Sequence, residues 1–133
     1  MAQTLPTLNL IGAGRVGQTL AHLWARHGVL RVQDVLTRSP DSARRALDFI
    51  APGASTARAV AHIADMRAAN IWLLAVPDAQ IAACAQHLAA HARHRGDSPE
   101  LAFHCSGAQS AELLAPLREL SWSVASAHAV LSF

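Results

Sequence analysis

Residues 12–17 read Gly-Ala-Gly-Arg-Val-Gly, with glycine in the first, third and sixth places. The apolar run Leu8-Asn9-Leu10-Ile11 precedes them, and behind them Val16, Leu20, Leu23 and Trp24 recur at helical spacing. That context is a turn from a buried strand into a helix, and it gives the spacing its meaning. Gly12 permits the tight turn, Gly14 leaves room for a backbone to approach a pyrophosphate, and Gly17 lets the helix pack close to a sheet. The unpaired amides and the positive end of the helix then face an anion. Gly12, Ala13, Gly14, Arg15, Val16 and Gly17 are therefore expected to bind the phosphates of a dinucleotide. The competing possibility is a glycine-rich turn without a ligand.

The choice between NAD and NADP rests on the end of the second strand, where an acid suits free ribose hydroxyls and an arginine suits a ribose phosphate. Two registers compete. Asp34 lies at the expected sequence distance but falls inside the apolar stretch Val32 to Leu36. Thr37-Arg38-Ser39 follows that stretch, with Thr37 in the acid's place and a guanidinium and hydroxyl fit for a phosphate. The second register is preferred, so NADP is the expected cofactor and NAD the alternative.

Two more loops follow strands at their carboxyl ends, where open parallel sheets bind ligands. Val76-Pro77-Asp78 closes the run Ile71–Val76, and His104-Cys105-Ser106-Gly107 closes Leu101–Cys105. Asp78 reads first as a helix cap. His104 is a candidate proton donor beside a nicotinamide, or a hydrogen-bonded residue at a strand end. Ser106 and Gly107 offer a hydroxyl and a close backbone approach. His87, His91 and His94 share a helix face, but the glutamate of HExxH is absent, so they read as a solvated face and no metal site is expected.

These groups need an alternating scaffold. A helix from Val16 ends near Gly28, and Val32 to Leu36 is a second strand. Ser39 or Asp41 caps a helix over Ala43–Ile50, stopped by Pro52-Gly53. Residues 54–69 read as a short strand followed by a helical turn around Ala59–Ala64. Asp78 opens a long helix reaching about His94. Ala108–Leu120 is a further helix, interrupted or started at Pro116, and Trp122–Ala127 is a last strand. Strands and helices in this rhythm predict an α/β fold: a Rossmann-type, doubly wound, mainly parallel sheet with helices on both faces.

The chain has 133 residues, enough for one domain, and is 52% hydrophobic and 15% charged, which excludes a disordered chain. No apolar run is long enough to cross a bilayer, and residues 1–4 lack the start of a signal peptide. The formal charge of +2 is small and the basic residues are scattered, so no nucleic-acid partner is expected. Cys84 and Cys105 lie outside any CxxC pattern and read as buried free thiols of a reducing compartment, which with the missing signal suggests the cytoplasm.

The segments LNLIGAGRVGQTLA, VLTRSP, IWLLAVPDAQI, FHCSGAQSAELLAPLR and SAHAVLSF, in this order through nearly the whole chain, resemble one family. It is the N-terminal Rossmann-like domain of bacterial NADP-dependent oxidoreductases that carry an uncharacterised helical C-terminal domain. These are related to 6-phosphogluconate and 3-hydroxyisobutyrate dehydrogenases and to pyrroline-5-carboxylate reductase. The resemblance implies that Gly12, Gly14 and Gly17 meet the pyrophosphate, that Arg38 meets the ribose phosphate, and that Ala75, Val76, Pro77 and Asp78 flank the nicotinamide half. It also implies a small-molecule substrate, with ketopantoate-reductase-like activity as one candidate, and a homodimer in the full-length protein. Where the family commonly has His-Pro-Leu after the last strand, this chain has His128-Ala129-Val130-Leu131. The family's helical domain would follow Phe133, and Val130, Leu131 and Phe133 would face it. The rival reading is a non-catalytic dinucleotide-binding or redox-sensing module.

Overall fold

A computed structural model of the chain describes residues 4–54, 56–96, 99–106 and 109–127. The elements run β1 (Thr7–Ile11), α1 (Arg15–Arg26), β2 (Arg31–Leu36), α2 (Pro40–Ile50), β3 (Arg58–Val60), β4 (Ile71–Leu74), α3 (Ile81–Arg95), β5 (Leu101–His104), α4 (Ala115–Arg118) and β6 (Val124–Ser126). All six described strands are parallel and stand in the order β3-β2-β1-β4-β5-β6. The fold is the doubly wound α/β sheet expected from the alternating pattern. The order reverses between β1 and β4, which opens a crevice at their carboxyl ends.

Each face of the sheet buries its own core. Leu8, Leu10, Val32, Val35, Leu73 and Phe103 pack with Ala21, Ala43, Ala46 and Ile50 of α1 and α2. Ile11, Trp72, Leu74 and Ala102 pack on the other face with Ile81, Ala85 and Leu88 of α3 and with Leu117 of α4. Trp72 and Trp122 stack there with ring centroids 6.2 Å apart. The β1–β2 register slips between Leu8 and Asn9, pairing Leu8 with Val32 but Asn9 with Asp34. This bulge lets Val32 and Val35 join one core although they are an odd number of residues apart, and it turns Asp34 to stand beside Asn9.

Several element bounds differ from the sequence reading for local reasons. Ser39 is the cap of α2: its side chain accepts from the Ser42 amide, and Pro40 takes the first turn, where its missing N–H costs nothing. Ala59 lies in β3, and the helical turn comes later as a 3₁₀ turn at Ile63–Asp65. Asp78 does not cap α3 with its side chain. A 3₁₀ turn, Asp78–Gln80, intervenes, and neither Pro77 nor Gln80 makes a side-chain cap. Gly96, with φ +69°, ends α3. The helix expected over 108–120 is a 3₁₀ turn, Ala111–Leu114, followed by the single turn α4, which starts at Pro116's neighbour as a proline requires. Cys84 and Cys105 are free but only partly buried. Gly107, His128, Val130, Leu131 and Phe133 lie outside the described residues. Among those described, no helix is long and apolar enough to cross a membrane.

Candidate functional site

The glycine turn leaves β1 at Ile11 and enters α1 at Arg15. Gly12 adopts φ +92°, a conformation that side chains other than glycine's resist. Its amide donates to Leu36 O at 2.7 Å, while the Gly14 amide donates to Ala75 O at 3.0 Å. All three glycines close on one residue. A Cβ at Gly12 would sit 2.6 Å from the Ala75 backbone, one at Gly14 2.8 Å from Ala75 O, and one at Gly17 2.4 Å from Ala75 Cβ. The absent side chain of Gly14 therefore makes room first for the end of β4, a packing requirement that precedes any ligand.

What remains unspent at this turn is the start of α1. The first bond into the helix runs from Gln18 N to Gly14 O at 2.9 Å, so Arg15, Val16 and Gly17 have no intrahelical acceptor for their amides. No side chain caps α1 and no acid lies in its first turn. Gln18 Nε2 instead donates to Ala13 O at 2.8 Å and braces the turn. An uncapped twelve-residue helix without a nearby carboxylate fits the pyrophosphate of a dinucleotide.

This turn forms the centre of a cleft of about 820 Å³ along the carboxyl edge of the sheet. Of the residues expected there, Gly12, Ala13, Gly14, Thr37, Arg38, Ala75, Val76 and Pro77 line it. The Arg15 side chain turns instead into a smaller adjoining cavity with Gln18, Thr19 and Phe49. Gly17 is buried, Ser39 is occupied as the α2 cap, and Asp78 is exposed and not part of the cleft wall. Ser42, Ile63, Gln80, Cys84 and His87 also line the cleft and were not among the residues expected from sequence. Ser42 lies one helical step from its cap, and the α3 residues share a face at i, i+4 and i+7. These signals mean little until the neighbouring strands are placed. Burial pushes the Cys84 thiol up to about 11, so it stays protonated at neutral pH.

The end of β2 separates the two registers. Asp34 is fully buried. Its Oδ2 accepts from the Arg67 amide at 2.6 Å, and its Oδ1 accepts from Arg67 Nη2 at 2.8 Å and Arg58 Nε at 3.2 Å. Burial works against the charge, but the hydrogen bonds from Arg67 and Arg58 outweigh it and hold the carboxyl below its usual range. Asp34 is a tie between β2, β3 and the segment before β4, and it does not reach the cleft. Arg38, beyond the strand, is exposed and makes no hydrogen bond or ion pair among the described residues. Thr37 Oγ1 donates to Ser39 O at 3.0 Å and is hydrogen-bonded to Ser42 Oγ, which places the hydroxyls of the α2 entrance beside Arg38.

At the end of β5, His104 is fully buried. Its Nε2 lies 2.8 Å from Ser110 O, and its Nδ1 accepts from the Ser106 amide at 3.1 Å. Those partners fix a neutral ring with the proton on Nε2, and both nitrogens are spent on backbone. The ring pins the loop after β5 and has no free proton to give the cleft. Ser106 Oγ, by contrast, is buried without a hydrogen-bond partner among the described residues.

Solved structures with this fold include a Bacteroides fragilis protein described as an NADP oxidoreductase, with 22% identity, a TM-score of 0.64, and coverage of 82% of this chain and 39% of its own. Shikimate dehydrogenase of Mycobacterium tuberculosis gives 22% identity and a TM-score of 0.65 over 90% of this chain and 45% of its own. The WlbA dehydrogenase of Chromobacterium violaceum, solved with NADH and UDP-GlcNAcA, gives 14% identity and a TM-score of 0.67 over 93% of this chain and 35% of its own. The chain thus spans less than half the length of each. No curated protein matches it in sequence. A family model, the Rossmann-like domain, matches residues 2–126, and the chain belongs to the Rossmann-like domain family.

Proposed function

We propose that this chain is the NADP(H)-binding domain of an oxidoreductase that moves hydride between nicotinamide and a small polar carbonyl, imine or hydroxy compound. The observation that carries the cofactor choice is the contrast at β2. The acid that would hold free ribose hydroxyls is locked away by Arg67 and Arg58, while Arg38, on the cleft, has no partner among the described residues. A guanidinium beside Thr37 and Ser42 hydroxyls suits a 2′-phosphate and gives NADH nothing to replace it.

When bound, the cofactor supplies the hydride chemistry, and this chain's residues bind and orient it. The α1 amides hold the pyrophosphate, Ala75, Val76 and Pro77 flank the nicotinamide half, and Ser106 offers a hydroxyl near the reacting end. His104 positions that loop. Since the chain covers less than half of the dehydrogenases it resembles, we place the acid–base group and the rest of the substrate wall on a helical, dimerising domain. The full occupation of His104 also favours a second reading, a dinucleotide-binding module without chemistry. NADPH oxidation by the full-length protein against a panel of small 2-oxo acids and imines separates the two.

Calorimetric titration of the chain with NADPH and NADH tests the cofactor assignment. NADPH is expected to bind at least about tenfold tighter. Equal affinities would overturn the NADP assignment, and failure of both to bind would overturn the dinucleotide reading altogether.

A further inference from the structure

We infer that the chain carries a second ligand site at the amino edge of its sheet, suited to a small apolar carboxylate. The site is a cavity of about 520 Å³, a size that fits a small molecule. It shares no lining residue with the dinucleotide cleft and lies at the far end of α1, about 18 Å of helix from the glycine turn. Leu30, Val32 and Ile50 form its floor, and all three belong to the buried core between the sheet and the α1–α2 pair. Leu5, Pro52 and Ala54, all exposed, stand at its mouth.

The polar residues on this lining are all basic. Among the described residues it holds His22, Arg26 and Arg31, and no carboxylate, hydroxyl or amide side chain. His22, Ala25 and Arg26 stand at i, i+3 and i+4, so α1 presents them on one face. His22 Nδ1 donates to Ile50 O at 3.1 Å, which ties that face to the end of α2 and leaves Nε2 without a partner among the described residues. Arg26 and Arg31 are exposed, and their side chains make no hydrogen bond or ion pair among the described residues. The carboxyl ends of α1 and α2 would by themselves repel an anion. Their carbonyls, however, are engaged: Leu23 O, Trp24 O and Ala25 O accept from the amides of His27, Val29 and Gly28, and Leu47 O accepts from that of Ala51. An apolar chain in the cavity would bury itself against the core, and its carboxylate would answer the unpaired guanidiniums at the rim. A neutral ligand would use the floor alone, and a cation would meet like charge.

Titration of the full chain with octanoate, 1-octanol and octylammonium, one tail with three heads, tests the site by amide NMR shifts. Octanoate should move the amides of residues 30–32, 51 and 54 and leave those of residues 12–17 in place. It is expected to bind about three- to tenfold tighter than 1-octanol, and octylammonium should bind weakest. Arg26→Gln together with Arg31→Gln should bring octanoate down to the affinity of 1-octanol and leave 1-octanol unchanged. Ala54→Trp, which sets a ring at the exposed mouth, should weaken both. Circular dichroism confirms the fold, which these exposed positions should not disturb. No binding of octanoate, equal affinity for the three heads, or shifts centred away from the cavity would overturn the proposal. So would a double variant as selective as the wild type, since the arginines would then serve only the ends of their own elements. None of these outcomes bears on the dinucleotide site, which shares no residue with this one.

Discussion

The two ends of the cleft are built on opposite principles. At the glycine turn, backbone meets backbone: Gly12, Gly14 and Gly17 all press on Ala75, and the amides of Gly12 and Gly14 are already engaged. At the end of β2, by contrast, a side chain faces the cleft unspent: Arg38 is exposed and makes no hydrogen bond or ion pair among the described residues, beside the mutually bonded hydroxyls of Thr37 and Ser42. The first end is part of the fold and the second is attached to it. Substitutions at the turn should therefore be read as changes in stability, and those at Arg38 as changes in ligand preference.

The largest expected effect breaks the packed end. Gly17→Ala ought to gain up to about 1 kcal/mol from helix propensity alone. Its new Cβ would lie 2.4 Å from Ala75 Cβ, however, and overpacking of this kind costs about 3 kcal/mol, so the net effect is destabilising. Chemical denaturation should show the loss, and Ala75→Gly in the same chain should recover most of it. A stable Gly17→Ala with a normal fold would show that the turn is looser than its contacts imply.

Asp34→Asn is next, at about 1–2 kcal/mol, well below the value for a fully buried pair because the Arg58 and Arg67 side chains stay 48% and 42% exposed. NADPH affinity of the folded variant should be unchanged. The sign with pH follows from the depressed carboxyl. Its stabilisation is complete above the unfolded pKa of about 3.9 and is lost as pH falls through the lower folded value. The gap in melting temperature between wild type and Asp34→Asn should accordingly close below about pH 4. A gap that does not narrow at all as pH falls below about 4 would mean the charge on Asp34 contributes nothing.

Arg38→Ala sharpens the open end and should leave stability untouched. NADPH binding is expected to weaken by about 1.5–3 kcal/mol, ten- to a hundredfold, with little change for NADH. Equal losses for both cofactors would remove the phosphate contact, since only one of them carries that phosphate.

How much of this was legible in the sequence varied with the range of the interaction. The glycine turn and the buried strands follow from local pattern, and so does the capping of α2 by Ser39. The fate of Asp34 does not, because its partners lie 24 and 33 residues away and a bulge sets its direction. Asp78 misled because a cap residue after proline also begins a 3₁₀ turn. Ser42 and His87 carry no local mark, and only the packing of α2 and α3 beside the glycine turn gives them a place. The purpose of Gly14 was read as ligand clearance, whereas its nearest neighbour is Ala75 O.

That Ala75 completes the glycine turn has a consequence for the order in which the molecule matures. The turn and its partner are about sixty residues apart along the chain, so the anion site is a long-range contact that is slow to form by the entropy of loop closure. A nascent chain that has exposed β1 and α1 holds the whole glycine sequence yet no binding site. Competence arrives only when β4 emerges and docks beside β1. A dinucleotide would then recognise the assembled sheet and not its first third, so it would act as a late, selective brake on unfolding, and its grip would report whether the centre of the sheet has closed.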